Sequence, residues 1–145
     1  MKLLRTLIAL AAIAMMSSPI AVGQELPKAT KHENASWYTN FYIKFKPNQA
    51  DEAQKIIQQY FVPTDKAIGR DVIAFQCKSG RWDLVVFIPM ADGAAELAWQ
   101  MSPAEEKWFA AFAKIAGGPK KANEIWTRYF DCIADSERAI VIRQM

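Results

Sequence analysis

Five tryptophans, one histidine and two cysteines stand out among the 145 residues of the chain. An indole offers a large flat face and a single N–H, which serves a planar organic ligand or a small apolar core equally well. Periodicity separates the two uses. Trp108 and Trp126 recur on apolar stripes at helical spacing and are expected in the core. Trp82, beside a Ser79-Gly80 turn, and Trp99, just ahead of a helix start, lie at element ends, where ligand contacts gather. Asn40, Tyr42 and Gln76 can line a sheet face and hydrogen-bond to a ligand there; otherwise they satisfy one another and trapped water. Asp83 follows Trp82. Buried near that face its pKa would rise and it could act as a base, with Tyr42 as a second proton carrier. The simpler role for Asp83 is an ion pair with Arg81 or Lys78 at the hairpin.

The remaining reactive groups lead less far. His32 sits in residues 24–35 (QELPKATKHENA), a polar stretch with a proline and no periodicity that reads as a flexible leader. A catalytic imidazole needs neighbours that fix its tautomer, and such a leader offers none. Asp51-Glu52 and Glu105-Glu106 are carboxylate pairs in the first turns of helices, where the helix dipole accounts for them. Cys77 and Cys132 without a histidine or further cysteine make a poor metal site. Phosphate loops, nucleophile elbows, zinc-helix motifs and Cys-x-x-Cys pairs are absent from the sequence. No metal or cofactor is expected, and a hydrolytic triad lacks its histidine.

The elements that must position these groups follow from patterning. Residues 37–46 (WYTNFYIKFK) alternate, with Trp37, Thr39, Phe41, Ile43 and Phe45 on one side and Tyr38, Asn40, Tyr42 and Lys44 on the other, so a half-buried strand is expected. Asn48 is placed to cap a helix carrying Ala53, Ile56, Ile57, Tyr60 and Phe61, which Pro63 should close. Residues 70–78 and 81–90 read as two strands joined at Ser79-Gly80, with Pro89 near the end of the second. A short helix is expected over 94–101. Ser102-Pro103-Ala104-Glu105 is a capping box with a proline at the first helical position, and opens a helix that Gly117-Gly118-Pro119 ends. A further helix reaches Ile133, and residues 137–144 (ERAIVIRQ) read as a closing strand.

The first 23 residues have a different character. Lys2 and Arg5 precede the apolar run Leu7–Met16, and Ala21-Val22-Gly23 supplies small residues at a cleavage point, which is the order of a secretory signal peptide. Its two charges are both positive, so cleavage takes the formal charge from +3 to +1. The basic balance is thus mostly a targeting feature, and the basic stripe of a nucleic-acid binder is not expected after processing. The apolar run falls short of the ~18 residues of a membrane span, and neither cysteine lies at the cut where a lipid anchor would attach. The expectation is a signal peptide over 1–23, a leader over 24–35 and one exported, periplasmic or secreted domain over 36–145 without membrane insertion.

The order β-α-β-β-α-β, with an extended helical second crossover, is the split βαβ arrangement: an α+β, ferredoxin-like antiparallel sheet with helices on one face. In strand order 4-1-3-2, Cys77 and Cys132 belong to elements at opposite edges. Three strand spacings are about 14 Å, whereas a bridge needs Cα atoms within roughly 7 Å, so free, buried cysteines are expected, with a bridge across a dimer as the alternative. The face carrying Tyr38, Asn40 and Tyr42 is too apolar for water alone and too polar for a dry core. A second copy of the chain is expected to cover it, leaving polar groups for water or a ligand.

From Trp37 to Gln144 the element order, the strand RWDLVVFIPM and the segment WQMSPAEEKW resemble the dimeric α+β barrel superfamily, and in particular its uncharacterised exported bacterial members. The resemblance implies a homodimer through sheet faces. It does not fix an activity, because that superfamily spans cofactor-free oxygenases, haem-degrading enzymes, isomerases and plain binding proteins. The haem-degrading branch pairs a histidine with an Asn and a Trp. Asn40 and Trp82 could match the latter two, but no histidine falls in a predicted element. The expected function is binding of a small organic ligand near Asn40, Tyr42, Gln76, Trp82 and Trp99. The alternatives are a cofactor-independent oxygenase or isomerase using Asp83 or Tyr42, and a structural dimer with no ligand.

Overall fold

The computed structural model describes residues 27–144. The expected signal peptide lies outside the described residues, as does the start of the leader. The chain divides into two compact units, 1–31 and 32–145. In the first, residues 27–31 are exposed and without regular structure. Every strand and helix below belongs to the second.

Strand β1 (Ala35–Phe45) is the hub. It pairs antiparallel with β3 (Leu84–Pro89) on one side and β4 (Ile133–Gln144) on the other, and β2 (Ile73–Gln76) pairs with the far side of β3. The sheet order β2-β3-β1-β4 is the one expected. The odd-numbered face of β1 meets the helices: Ile43 and Phe45 are buried with Leu84 of β3 against Ala53, Ile56, Phe112, Ile125 and Tyr129.

Several local expectations change. Helix α1 (Ala50–Ile56) does not stop at Pro63. It runs through one wide π turn, Ile57–Phe61, into α2 (Val62–Ile68), and Gly69 closes the rod at a φ of 70°. The Val62 amide reaches the Ile57 carbonyl five residues back. That wider turn accommodates a proline ring that would collide with an ordinary helical turn and has no N–H to give it. The Thr64 hydroxyl, fully buried, donates to the Tyr60 carbonyl at 2.7 Å. Asn48 caps nothing: it turns the chain at a φ of 62°, and Gln49 precedes the helix without a side-chain cap.

The second crossover holds a 3₁₀ turn (Gly93–Ala98), α3 (Pro103–Ala116) and α4 (Pro119–Asp131). The capping box at α3 forms as read. The Ser102 hydroxyl accepts from the Glu105 amide at 3.2 Å, and the Glu105 carboxylate accepts from the Ser102 amide at 2.7 Å. Trp108 is in the core, Trp126 packs half-buried against it, and Phe61 lies within 6 Å of Trp108, Phe112, Trp126 and Tyr129. Strand β4 begins at Ile133 rather than Glu137. Its first half is an exposed, charged edge without apolar alternation, and edges of this kind keep other chains from pairing.

Cys77 and Cys132 are free, the first half-buried and the second buried. Burial holds the Cys132 thiol above its ordinary pKa, and the thiol donates to the Arg128 carbonyl at 3.2 Å. Burial likewise pushes the Tyr129 phenol up to about 12, so it stays protonated.

Candidate functional site

No described helix crosses the even-numbered face of the sheet. By register, Asn40 faces Phe87 of β3 and Ala139 of β4, with Tyr38 and Tyr42 two residues to either side. Ile73 and Phe75 of β2 continue this face. Phe87 touches both Tyr38 and Phe75 edge-on, at 6.4 and 6.1 Å between ring centroids. Trp82 joins from the β2–β3 loop, 6.0 Å from Tyr42, with the Arg81 guanidinium stacked 4.5 Å from its ring and paired to Asp135. Phe75 is 57% exposed, whereas Asn40 has no accessible surface at all. Neither the Nδ2 nor the Oδ1 of Asn40 has a hydrogen-bond partner. A buried amide in that position costs on the order of 1–3 kcal/mol unless something completes it.

The structure thus brings Asn40, Tyr42 and Trp82 together, and separates the other two expected ligand contacts from them. Gln76 pairs with Leu84 on the helix side of the sheet, where its amide meets Gln54 and Lys78. The expected strand 70–78 is only four residues long and its register sets the parity, which composition does not reveal. Trp99 also lies on the helix side, in the connection between the 3₁₀ turn and α3.

Asp83 is corrected more sharply. Its carboxylate accepts from Lys44 Nζ at 2.8 Å and from the Phe45 amide at 2.9 Å, at the point where β1 and β4 slip register. Those two bonds, with the Lys44 one dominant, hold its pKa below the usual carboxylate value, opposite to what a base requires. Its partner is Lys44 rather than Arg81 or Lys78. Because the folded-state pKa is depressed, the contribution to stability is present above about pH 4 and lost as pH falls through the folded value. Asp83→Asn is therefore expected to flatten the acid limb of the stability profile by lowering stability above about pH 4, and only modestly, since the pair is solvent-screened. Urea titrations at stepped pH check this, and an unaltered acid limb would remove Asp83 from the account.

A cavity of about 380 Å³ lies on the helix side, between the β1/β4 surface and the segment leading into α3. Its floor is Thr39 of β1, Arg138 and Ile140 of β4, and Met90 beyond β3. Its roof is Glu96, Leu97 and Trp99, closed at one end by Ser102 and Glu105. Thr39 is 9% exposed, and its hydroxyl has no hydrogen bond among the described residues. Leu97, Trp99 and the adjacent Met101 are each more than half exposed. Arg138 lies 5.9 Å over the Phe41 ring and has no ion pair among the described residues.

The roof is pinned at Gly93. A Cβ there would stand 3.1 Å from Trp37 Cδ1, and the residue has a φ of 56°. The Gly93 amide donates to the Met90 carbonyl, while the Glu96 carboxylate accepts from the Asp92 amide. Gly93→Ala is expected to cost about 1–2 kcal/mol and to lift the segment off Trp37. A blue-to-red shift in tryptophan emission with lowered urea resistance checks it, and unchanged values in both would show the contact to be slack.

Sequence reasoning missed Thr39, Met90, Glu96, Glu105 and Arg138 as site residues. One signal was available. In residues 137–144, Arg138 shares its parity with Ile140 and Ile142, a lone charge on the apolar side of the strand. His32, exposed, sits edge-on to Trp37 at 6.3 Å and 3.4 Å from Gln144, at the outer end of the sheet and away from Asn40 and Tyr42. Among the described residues no group of three His, Cys, Asp or Glu is placed to hold a metal ion, and no helix is long and apolar enough to cross a membrane.

A four-stranded antiparallel sheet in this order with helices on one face defines an α+β protein of the ferredoxin-like class. Similar solved structures include an uncharacterised NIPSNAP domain protein from Burkholderia xenovorans, 16% identical over 73% of this chain and 91% of that one, with a TM-score of 0.46. Two NIPSNAP family proteins from Agrobacterium tumefaciens str. C58 are also similar. One, of unknown function, is 14% identical over 80% of this chain and 95% of its own, with a TM-score of 0.49. The other is 16% identical over 81% and 92%, also with a TM-score of 0.49. No protein-family model matches the chain, and no curated protein matches it.

Proposed function

We propose that this is an exported small-molecule-binding protein whose ligand occupies the helix-side cavity and whose open sheet face is covered by a second copy. The observation that carries the ligand reading is the cavity itself. Its volume, about 380 Å³, falls in the range of small-molecule sites. It also places the Thr39 hydroxyl, which has no hydrogen-bond partner among the described residues, beside an exposed indole. The dimer reading rests on the aromatic even face and the unpartnered Asn40 beneath it.

Native mass spectrometry of protein recovered from an export host tests the ligand reading. A bound mass is expected, and Trp99→Ala should reduce its occupancy. No bound mass, together with no shift in melting temperature across a fragment mixture, would leave the protein as a structural dimer without ligand. Catalysis is not part of the proposal, because the one carboxylate beside Trp82 is committed to Lys44 and to a backbone amide.

A further inference from the structure

The cavity's chemistry narrows its occupant, and this step rests on the binding reading above. Thr39 and Arg138 belong to the same face of adjacent strands. Thr39 faces Ile140 and Arg138 faces Phe41, so the two are diagonal neighbours on the cavity floor. Together they offer a hydroxyl without a partner and a guanidinium without an ion pair among the described residues. A planar guanidinium fork matches a carboxylate. The Phe41 ring beneath Arg138 restricts the fork's orientation.

The roof supplies the opposite character. Leu97 and Trp99 are more than half exposed, and a tail lying along them would remove that apolar surface from water. Glu96 in the roof and Glu105 at the closed end each accept from one backbone amide. Both oppose negative charge in the cavity, and Arg138 is the one cation lining it among the described residues. A phosphate or a dicarboxylate is therefore disfavoured more strongly than a single carboxylate seated on Arg138.

We propose that the cavity binds a monocarboxylic acid with an apolar body, the carboxylate held by Arg138 and Thr39 and the body lying against Leu97 and Trp99. A free amine would instead favour Glu96 and Glu105, and a neutral tail alone would ignore both ends.

The test uses octanoate, octanol and octylamine against the full mature protein by isothermal titration calorimetry, with Arg138→Gln and Arg138→Lys as variants. Octanoate is expected to bind about tenfold more tightly than octanol, which corresponds to about 1.4 kcal/mol. Arg138→Gln should remove that preference while leaving octanol affinity unchanged, and Arg138→Lys should restore part of it. Equal binding of octanoate and octanol, or tighter binding of octylamine, would overturn the carboxylate assignment while the cavity reading stood. If none of the three binds, the cavity reading itself fails. If the preference persists in Arg138→Gln, the head group sits elsewhere and the assignment of Arg138 is wrong.

Discussion

Asp65→Ala is expected to destabilise the protein by about 3 kcal/mol, the lower end of what breaking a buried ion pair costs. One carboxylate oxygen of Asp65 accepts hydrogen bonds from Arg70 Nε and from the Trp108 indole nitrogen, each at 2.8 Å, and an Arg70 terminal nitrogen stands 2.6 Å from it in the ion pair. Both charged side chains are largely buried, at 14% and 16% exposure, so solvent cannot replace what the mutation removes. The Arg70 guanidinium also lies 5.2 Å over the Trp108 ring. Removal of the carboxylate leaves a buried cation and a buried indole N–H without acceptors at the same time. Asp65→Asn keeps one acceptor and is expected to cost about half as much. Urea unfolding of the three proteins checks the order, and a loss below about 1 kcal/mol for the alanine variant would mean that water reaches the cluster.

This cluster also bears on the cavity. Asp65 belongs to α2 and Trp108 to α3, so the bond fixes α3 against the first helical rod. The first turn of α3 contributes Ser102 and Glu105 to the cavity. A wall of the proposed ligand site thus depends on an ion pair about one turn further along the same helix.

The parts of this arrangement visible in the sequence are those governed by short-range rules. The period-2 alternation of residues 37–46 gave β1 and its buried parity, because β1 is central and has one face on the helices. The Ser102–Glu105 spacing gave the start of α3, because a capping box closes within four residues. Trp108 and Trp126 were readable as core from helical spacing alone. Misreadings occurred where a long-range choice decides. Pro63 breaks an α-helix but not one that opens into a π turn, and nothing local announces the turn. The parity of Gln76 depends on the register of a four-residue edge strand. Trp99 and Trp82 look alike as aromatic residues at element ends, yet the crossover carries one to the helix side and the hairpin carries the other to the open face. The lysine that neutralises Asp83 comes from 39 residues away. Lys44 was assigned to the polar side of β1, but its pairing could not be read from that strand alone.

Phe75→Asp is expected to convert the proposed dimer into a folded monomer. The side chain is 57% exposed in the single chain, so a charge there meets water and leaves the monomer's stability within about 0.5 kcal/mol. In a face-to-face dimer the same position is covered, together with the Phe87 and Tyr38 rings that it adjoins. Aromatic anchors of this kind contribute about 2 kcal/mol or more to association, so the dissociation constant should rise at least about thirtyfold. Sedimentation equilibrium gives the constant and urea unfolding the monomer stability. Asn40→Leu separates two versions of the interface. If partner groups or trapped water complete the amide, the leucine variant associates more weakly. If the amide is simply tolerated, removing its two unpartnered atoms strengthens the fold and leaves association unchanged. A wild-type protein that stays monomeric at micromolar concentration would sink the covered-face proposal, and a Phe75→Asp variant that still dimerises would move the interface to another surface.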